Sequence, residues 1–208
     1  MRTFLPPQWD TATVWLAVIL LAVASTGLLL SRNWRWSLGL LAGQYFAVFW
    51  LVLAHWSLTM SAAKLVAGWM AVAVLGMTQL GMKDDRLSET SWPEGALFRF
   101  FAAGLVLITI TSAAQPIHLW LPEASLPLVW GGLVLIGMGL LHLGMTVHPL
   151  RITLGLLTTL AGFEILYASL ENSILVAGLL AVITLGLSLT GSYLLSLDVS
   201  EALENPVE

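Results

Sequence analysis

The chain has 208 residues, 58% of them hydrophobic and 10% charged, with a mean hydropathy of +0.90. A net charge of −4 offers nothing polybasic for nucleic acid. The lack of cysteine excludes disulfides, thiolate metal sites and cysteine-ligated iron–sulfur clusters.

The predicted class is all-α, a polytopic transmembrane helix bundle of about seven spans. A helix needs about 20 apolar residues to cross hydrocarbon, and the long unalternated apolar runs exclude strands. The spans are expected near 11–31, 37–57, 60–81, 96–114, 126–146, 150–170 and 173–196. The first is too long for a signal-peptide core and runs into Arg32 and Arg35, so it reads as a retained helix. The second carries Gly43-Gln44-Tyr45. Lys64 stands about one turn inside the third, which ends on Thr78-Gln79. A long charged connection follows from Met82 to Gly95. In the fourth span Thr109, Thr111 and Ser112 are expected to bond back to their own helix. The segment Gln115–Ala124, framed by Pro116 and Pro122, reads as an amphipathic connection on the membrane surface. The chain divides into a three-helix unit with its loop (1–95), a linking helix and outer loop (96–125), and a second three-helix unit with an acidic tail (126–208).

Of eight Lys and Arg residues, Arg32, Arg35, Lys83, Arg86, Arg99 and Arg151 fall on one side, and Arg2 and Lys64 on the other. The positive-inside rule then places the N-terminus outside and the tail from Asp198 in the cytoplasm, as expected for a multi-pass inner-membrane protein. Tryptophans near span ends (Trp9, Trp34, Trp36, Trp56, Trp92 and Trp120) suit anchoring at the lipid interface.

Glu164 is the outstanding residue. It lies in the middle of the apolar run Arg151–Leu170, about 13 residues or ~20 Å beyond Arg151 along the helix. A carboxylate at the bilayer centre costs roughly 2.5–3.5 kcal/mol on translocon scales, so an acid there is first a hypothesis of proton or ion handling. Desolvation and a neighbouring cation act on such a group in opposite senses, and a carboxyl set between them can load and release a proton. The plainer alternative is a protonated Glu bonding one helix to another. Lys64 has two readings also: it snorkels to the interface, or it faces the bundle and pairs with Glu164, at a compatible depth. Gln44, Gln79 and Tyr167 are the remaining members of a polar path, although Gln44 alone reads equally as a helix-to-helix hydrogen bond. Of the four histidines, His55 and His118 lie towards one side and His142 and His148 towards the other. A bis-histidine haem needs two on facing helices at one depth; His118 in a loop and His148 at a helix start do not meet that, so no cofactor or metal is expected.

A faint internal repeat relates Arg35-Trp36-Ser37-Leu38-Gly39-Leu40-Leu41 to Arg151-Ile152-Thr153-Leu154-Gly155-Leu156-Leu157. Four crossings separate the copies, which makes the units parallel. Val48 stands where the second copy has Glu164.

With its basic start, Gly155, the run Gly162-Phe163-Glu164-Ile165-Leu166 and a small-residue final helix, Arg151–Leu195 resembles the K-type small membrane subunit of NADH:quinone oxidoreductase. The whole chain is similar to the component-E membrane subunit of group 4 energy-converting hydrogenases in length, span number, the Ser61-Ala62…Lys64 element and the late Glu. Pro116-x-His118-x-Trp120-Leu121-Pro122-Glu123-Ala124 echoes the connection after the lysine-bearing helix of antiporter-like subunits, but Thr111 stands where their lysine would be. The resemblance implies a C-terminal K-type three-helix unit, antiporter-like membrane subunits and a redox module as partners, and proton or Na⁺ translocation through Glu164 with Lys64 as its modulator. Two features depart from the pattern. The seventh span has only apolar residues and Ser near Leu187-Ser188 in place of a second Glu, and no proline follows Lys64. A structural scaffold subunit and a free-standing small transporter are the other function classes open to this sequence.

Overall fold

The computed structural model describes residues 11–53, 56–81, 95–171 and 173–204. Trp9, His55, Trp92 and nearly all of the charged Met82–Gly95 connection lie outside them. Among the described residues the chain forms seven α-helices: α1 (Thr11–Leu30), α2 (Trp34–Val52), α3 (Leu58–Leu80), α4 (Ala96–Trp120), α5 (Leu126–Gly144), α6 (Pro149–Leu170) and α7 (Ile174–Glu204). All but α2 are long and apolar enough to cross a membrane. The chain is a multi-pass membrane protein built as a helical bundle.

Three helices differ from expectation in where they begin or end. The side chain of Asn33 caps α2 by accepting from Arg35 N at 3.0 Å, so the helix starts at Trp34, and it ends at Val52 instead of near 57. It carries Arg35, Gln44 and Tyr45, and it is absent from the six helices apolar enough to span. The expected surface connection from Gln115 is in its first half a continuation of α4, which runs through Pro116 to Trp120. Proline removes one backbone donor, and membrane helices tolerate it where neighbouring helices, Ser or Thr side chains or a local adjustment of the turn satisfy the freed carbonyl. His118 therefore sits in the last turn of α4, not in a loop, and its Nδ1 lies 2.8 Å from Ala124 O, closing the turn. Finally, α7 continues into the acidic tail as far as Glu204. Thr109, Thr111 and Ser112 do bond to the carbonyls of Leu105, Leu107 and Ile108.

Consecutive helices alternate in direction. Arg151 at the start of α6 donates to Ser31 O just after α1 (2.8 Å), and Trp56 Nε1 before α3 donates to Glu171 O after α6 (3.1 Å). The end holding Ser31, Arg99 and Arg151 is called the basic end below. Within the bundle α1 packs on α5, α2 on α6 and α3 on α7, the pairing that two parallel three-helix units produce side by side, with α4 against α5 and α1. The repeated openings differ in use: Arg35 is exposed, its guanidinium 5.2 Å from the Trp34 ring centroid, whereas Arg151 is buried. The counterpart of Glu164, Val48, is fully buried in the core.

The antiparallel pair α5 and α6 is the closest-packed part. Gly132 faces Gly162 and Gly139 faces Gly155, so the backbones themselves touch. A Cβ on Gly162 would lie 2.6 Å from Gly132 O and 2.7 Å from Ile136 N. Without a water-driven hydrophobic force between helices, such close approach is how membrane helices gain van der Waals contact. It fixes α6 and thereby the position of Glu164.

Candidate functional site

Lys64 stands six residues after the start of α3 at Leu58, and Glu164 six before the end of α6 at Leu170. Both are thus ~9 Å inside the same end of the bundle, opposite the basic end. Lys64 does not snorkel. It is 4% exposed, Glu164 is 1% exposed, and Lys64 Nζ forms an ion pair with Glu164 Oε1 across the α3–α6 interface.

The ammonium has two further neighbours. It donates to Thr184 Oγ1 on α7 at 3.0 Å, and it lies 5.7 Å from the ring centroid of Tyr45 on α2. Four helices therefore converge on one charge. Thr184 in turn donates to Leu180 O at 2.9 Å, which leaves its oxygen lone pairs for Lys64. Gly68, one turn along α3, presses against the Tyr45 ring and leaves room for it beneath Lys64.

Glu164 is less completely held. Oε1 takes the ammonium, while Oε2 is buried and has no hydrogen-bond partner among the described residues. The hydroxyl of Tyr45 and Oε1 of Gln44 are in the same condition. Buried polar atoms without partners are scarce in folded proteins and call for a functional or structural reason. Chemically, the site can hold a charged pair, can pass a proton across the Lys64–Glu164 contact, and can accept one more proton on Oε2. Protonation there would leave the ammonium to Thr184 and the Tyr45 ring.

The ring and the hydroxyl of Tyr45 should separate experimentally. Tyr45→Phe removes only a hydroxyl without a partner among the described residues and is expected to change stability by less than ~1 kcal/mol. Tyr45→Leu removes the cation–π contact of a desolvated ammonium and is expected to cost about 2 kcal/mol. Unfolding of the purified protein in detergent checks both.

The other residues of the expected polar path fall in different places. Gln44 is fully buried and donates to Thr158 Oγ1 on α6 at 3.4 Å, a helix-to-helix bond. Gln79 is buried near the far end of α3, its Nε2 without a partner among the described residues. Tyr167 is half-buried and stacks on the exposed Phe163, and it does not enter the hydrogen bonds of the pair. Sequence reasoning missed Thr158 and Thr184. The signal for Thr184 was its four-residue spacing from Ser188 and Ser192, which sets three hydroxyls on one face of α7.

A second polar group lies at the basic end, where Arg99, His142 and Arg151, all buried, surround a void of about 10 Å³ with Leu29, Met145 and Thr146. That is room for roughly one water. Among the described residues no three His, Cys, Asp or Glu side chains cluster as metal ligands.

No family model, curated protein or solved structure matches the chain.

Proposed function

We propose that this chain is a membrane-arm subunit of a multi-subunit energy-converting redox complex, hydrogenase-like or NADH dehydrogenase-like, and that it takes part in moving protons or Na⁺ through Glu164. The observation that carries the reading is the buried Lys64–Glu164 pair with Glu164 Oε2 left open. Burying two charges costs several kcal/mol per ion even after relaxation, and a hydrophobic pair of like volume would be as stable or more so. The retention of the charged pair is therefore best explained by what it does.

In this reading Glu164 is the carrier. A proton arriving on Oε2 neutralises the carboxylate, weakens its hold on Lys64 and leaves a single positive charge beside Thr184 and Tyr45. A change of charge near Lys64 in turn alters the proton affinity of Glu164, because coupling of this kind is reciprocal. Redox chemistry belongs to other chains. The partners are antiporter-like membrane subunits and a redox module, and the helices α5–α7 form the K-type-like unit. These partners are inferred from the motifs around Lys64 and Glu164. We place α2 across the membrane with the other six helices, since it lies between α1, α3 and α6. The membrane is the cell's inner membrane, with the basic end in the cytoplasm, by the distribution of Arg and Lys.

Gentle purification of the tagged protein from its membranes, with mass spectrometry of what remains bound, tests the partners. Antiporter-like and redox subunits should be recovered in fixed stoichiometry. In that complex Glu164→Gln should lower ion translocation at least ~10-fold, because Gln cannot take up and release a proton in this range. The same geometry favours a second reading, a scaffold in which the pair only ties α3 to α6. That reading requires Glu164→Gln to pump normally, since the amide retains hydrogen-bonding capacity. Recovery of the chain alone would favour a free-standing transporter.

A further inference from the structure

Helices α3 and α7 run side by side in the same direction, from the end near Lys64 to the basic end. Their seam is lined on one side by Thr184 and Ser188, both 0% exposed, and then by Ser192, which hydrogen-bonds to Thr78 of α3. Thr78 and Ser192 are half-buried, so burial falls along the file towards the basic end. Opposite these hydroxyls α3 presents Ala67 and Ala71, both buried and small. The file begins at the ammonium of Lys64, which donates to Thr184, and finishes beside Gln79, whose buried Nε2 has no partner among the described residues.

The spacing has a physical consequence. Hydroxyls four residues apart on a helix are separated by about 6 Å along the axis. Two O–H···O bonds of ~2.8 Å end to end cover nearly that distance, so the spacing matches one bridging water between successive hydroxyls. Thr184 and Ser188 donate to Leu180 O and Leu185 O, which leaves their oxygens to accept from such waters.

We infer that the α3–α7 seam is the hydrated half-channel joining the Lys64–Glu164 pair to the basic end, lined by Thr184, Ser188 and the Thr78–Ser192 pair. The file alternates hydroxyl and water, so each hydroxyl swings off its backbone carbonyl, takes a proton from the water on its basic-end side and passes its own to the next water, without a lasting change of charge. Lys64 hands one ammonium proton to Glu164 and is refilled from Thr184; the reverse path releases the proton. Leu75, fully buried on α3, lies one turn before Thr78 and by register falls at the level of Ser188, where it narrows the path. This inference rests on the proposed role of Glu164, but its test does not.

The chain contains no cysteine, so single-cysteine variants report without a background. Ser188→Cys and Ser192→Cys are nearly isosteric, and Leu189→Cys, on the exposed side of α7, serves as the lipid-facing control. Native membrane vesicles of each orientation are treated with a charged, membrane-impermeant methanethiosulfonate. Thiols react as thiolates, which need water, so both seam positions should label at least ~10-fold faster than the control, Ser192 ahead of Ser188, and only from the basic end. Leu75→Ala should raise the rate at Ser188→Cys further. Rates no higher than the control at both seam positions, with or without Leu75→Ala, would overturn the channel, as would labelling from the opposite end. The readout is water access and needs no transport activity. Labelled seam cysteines with Glu164→Gln still pumping would reject the carrier and keep the channel; unlabelled ones with Glu164→Gln inactive would do the reverse.

Discussion

Glu164→Leu is expected to destabilise the protein by about 3–5 kcal/mol, because it strands the Lys64 ammonium among four helices with only Thr184 and the Tyr45 ring for company. Lys64→Met alone should cost about as much, since it leaves Glu164 buried without its cation. The double replacement Lys64→Met with Glu164→Leu should recover most of the loss, because two apolar side chains need no partners. Denaturant unfolding in mixed micelles gives the double-mutant cycle. A coupling of 2–3 kcal/mol or more is expected for residues in direct contact, whereas losses that simply add would mean the pair does not exist in the membrane. The restored double variant should nevertheless be unable to translocate ions, which separates the structural from the functional role of one contact.

Gly162→Val carries the second large effect. Its Cβ would meet backbone atoms, Gly132 O at 2.6 Å and Ile136 N at 2.7 Å, and backbone cannot rotate out of the way as a side chain can. Overpacking of a tight interface costs about 1–3 kcal/mol, and here the upper part of that range or beyond is expected. The consequence reaches the site, because separating α5 from α6 moves Glu164, two residues along, away from Lys64. Gly178→Ala is the control: a Cβ there meets nothing within 4 Å, and replacing a helix-interior glycine should stabilise by roughly 0.5–1 kcal/mol. Thermal unfolding of both variants in detergent decides the matter. Equal behaviour would show that the glycine contact between α5 and α6 is not a determinant of packing.

How far the molecule was legible beforehand follows from what a membrane sequence can carry. Long apolar runs broken by short polar ones mark helices whatever lies around them, so the order of α1 to α7 could be read directly. Glu164 and Lys64 stood out because a charge in an apolar run is costly wherever it points. Their equal depth followed from counting residues from the same side. The end of α4 was misread because Pro116 reads as a stop signal locally, whereas a membrane helix can run through a proline when its surroundings satisfy the freed carbonyl. Thr184 and Thr158 were harder to rank, since a Thr hydroxyl in a membrane helix can satisfy itself on its own backbone, as Thr109 and Thr111 do, and nothing local tells the two uses apart.

Composition and pattern alone therefore determined that this is an all-helical membrane protein and that an acid and a lysine lie at matched depth within it. Only the tertiary structure decided that Lys64 turns inward, that Thr184 and Tyr45 complete its surroundings, and that α3 and α7 share a file of hydroxyls. The reason is that lipid and protein interior are both apolar. In water a helix announces its buried face by amphipathicity, whereas here the lipid-facing and core-facing sides are written in the same residues, and the faces are assigned only when the helices pack.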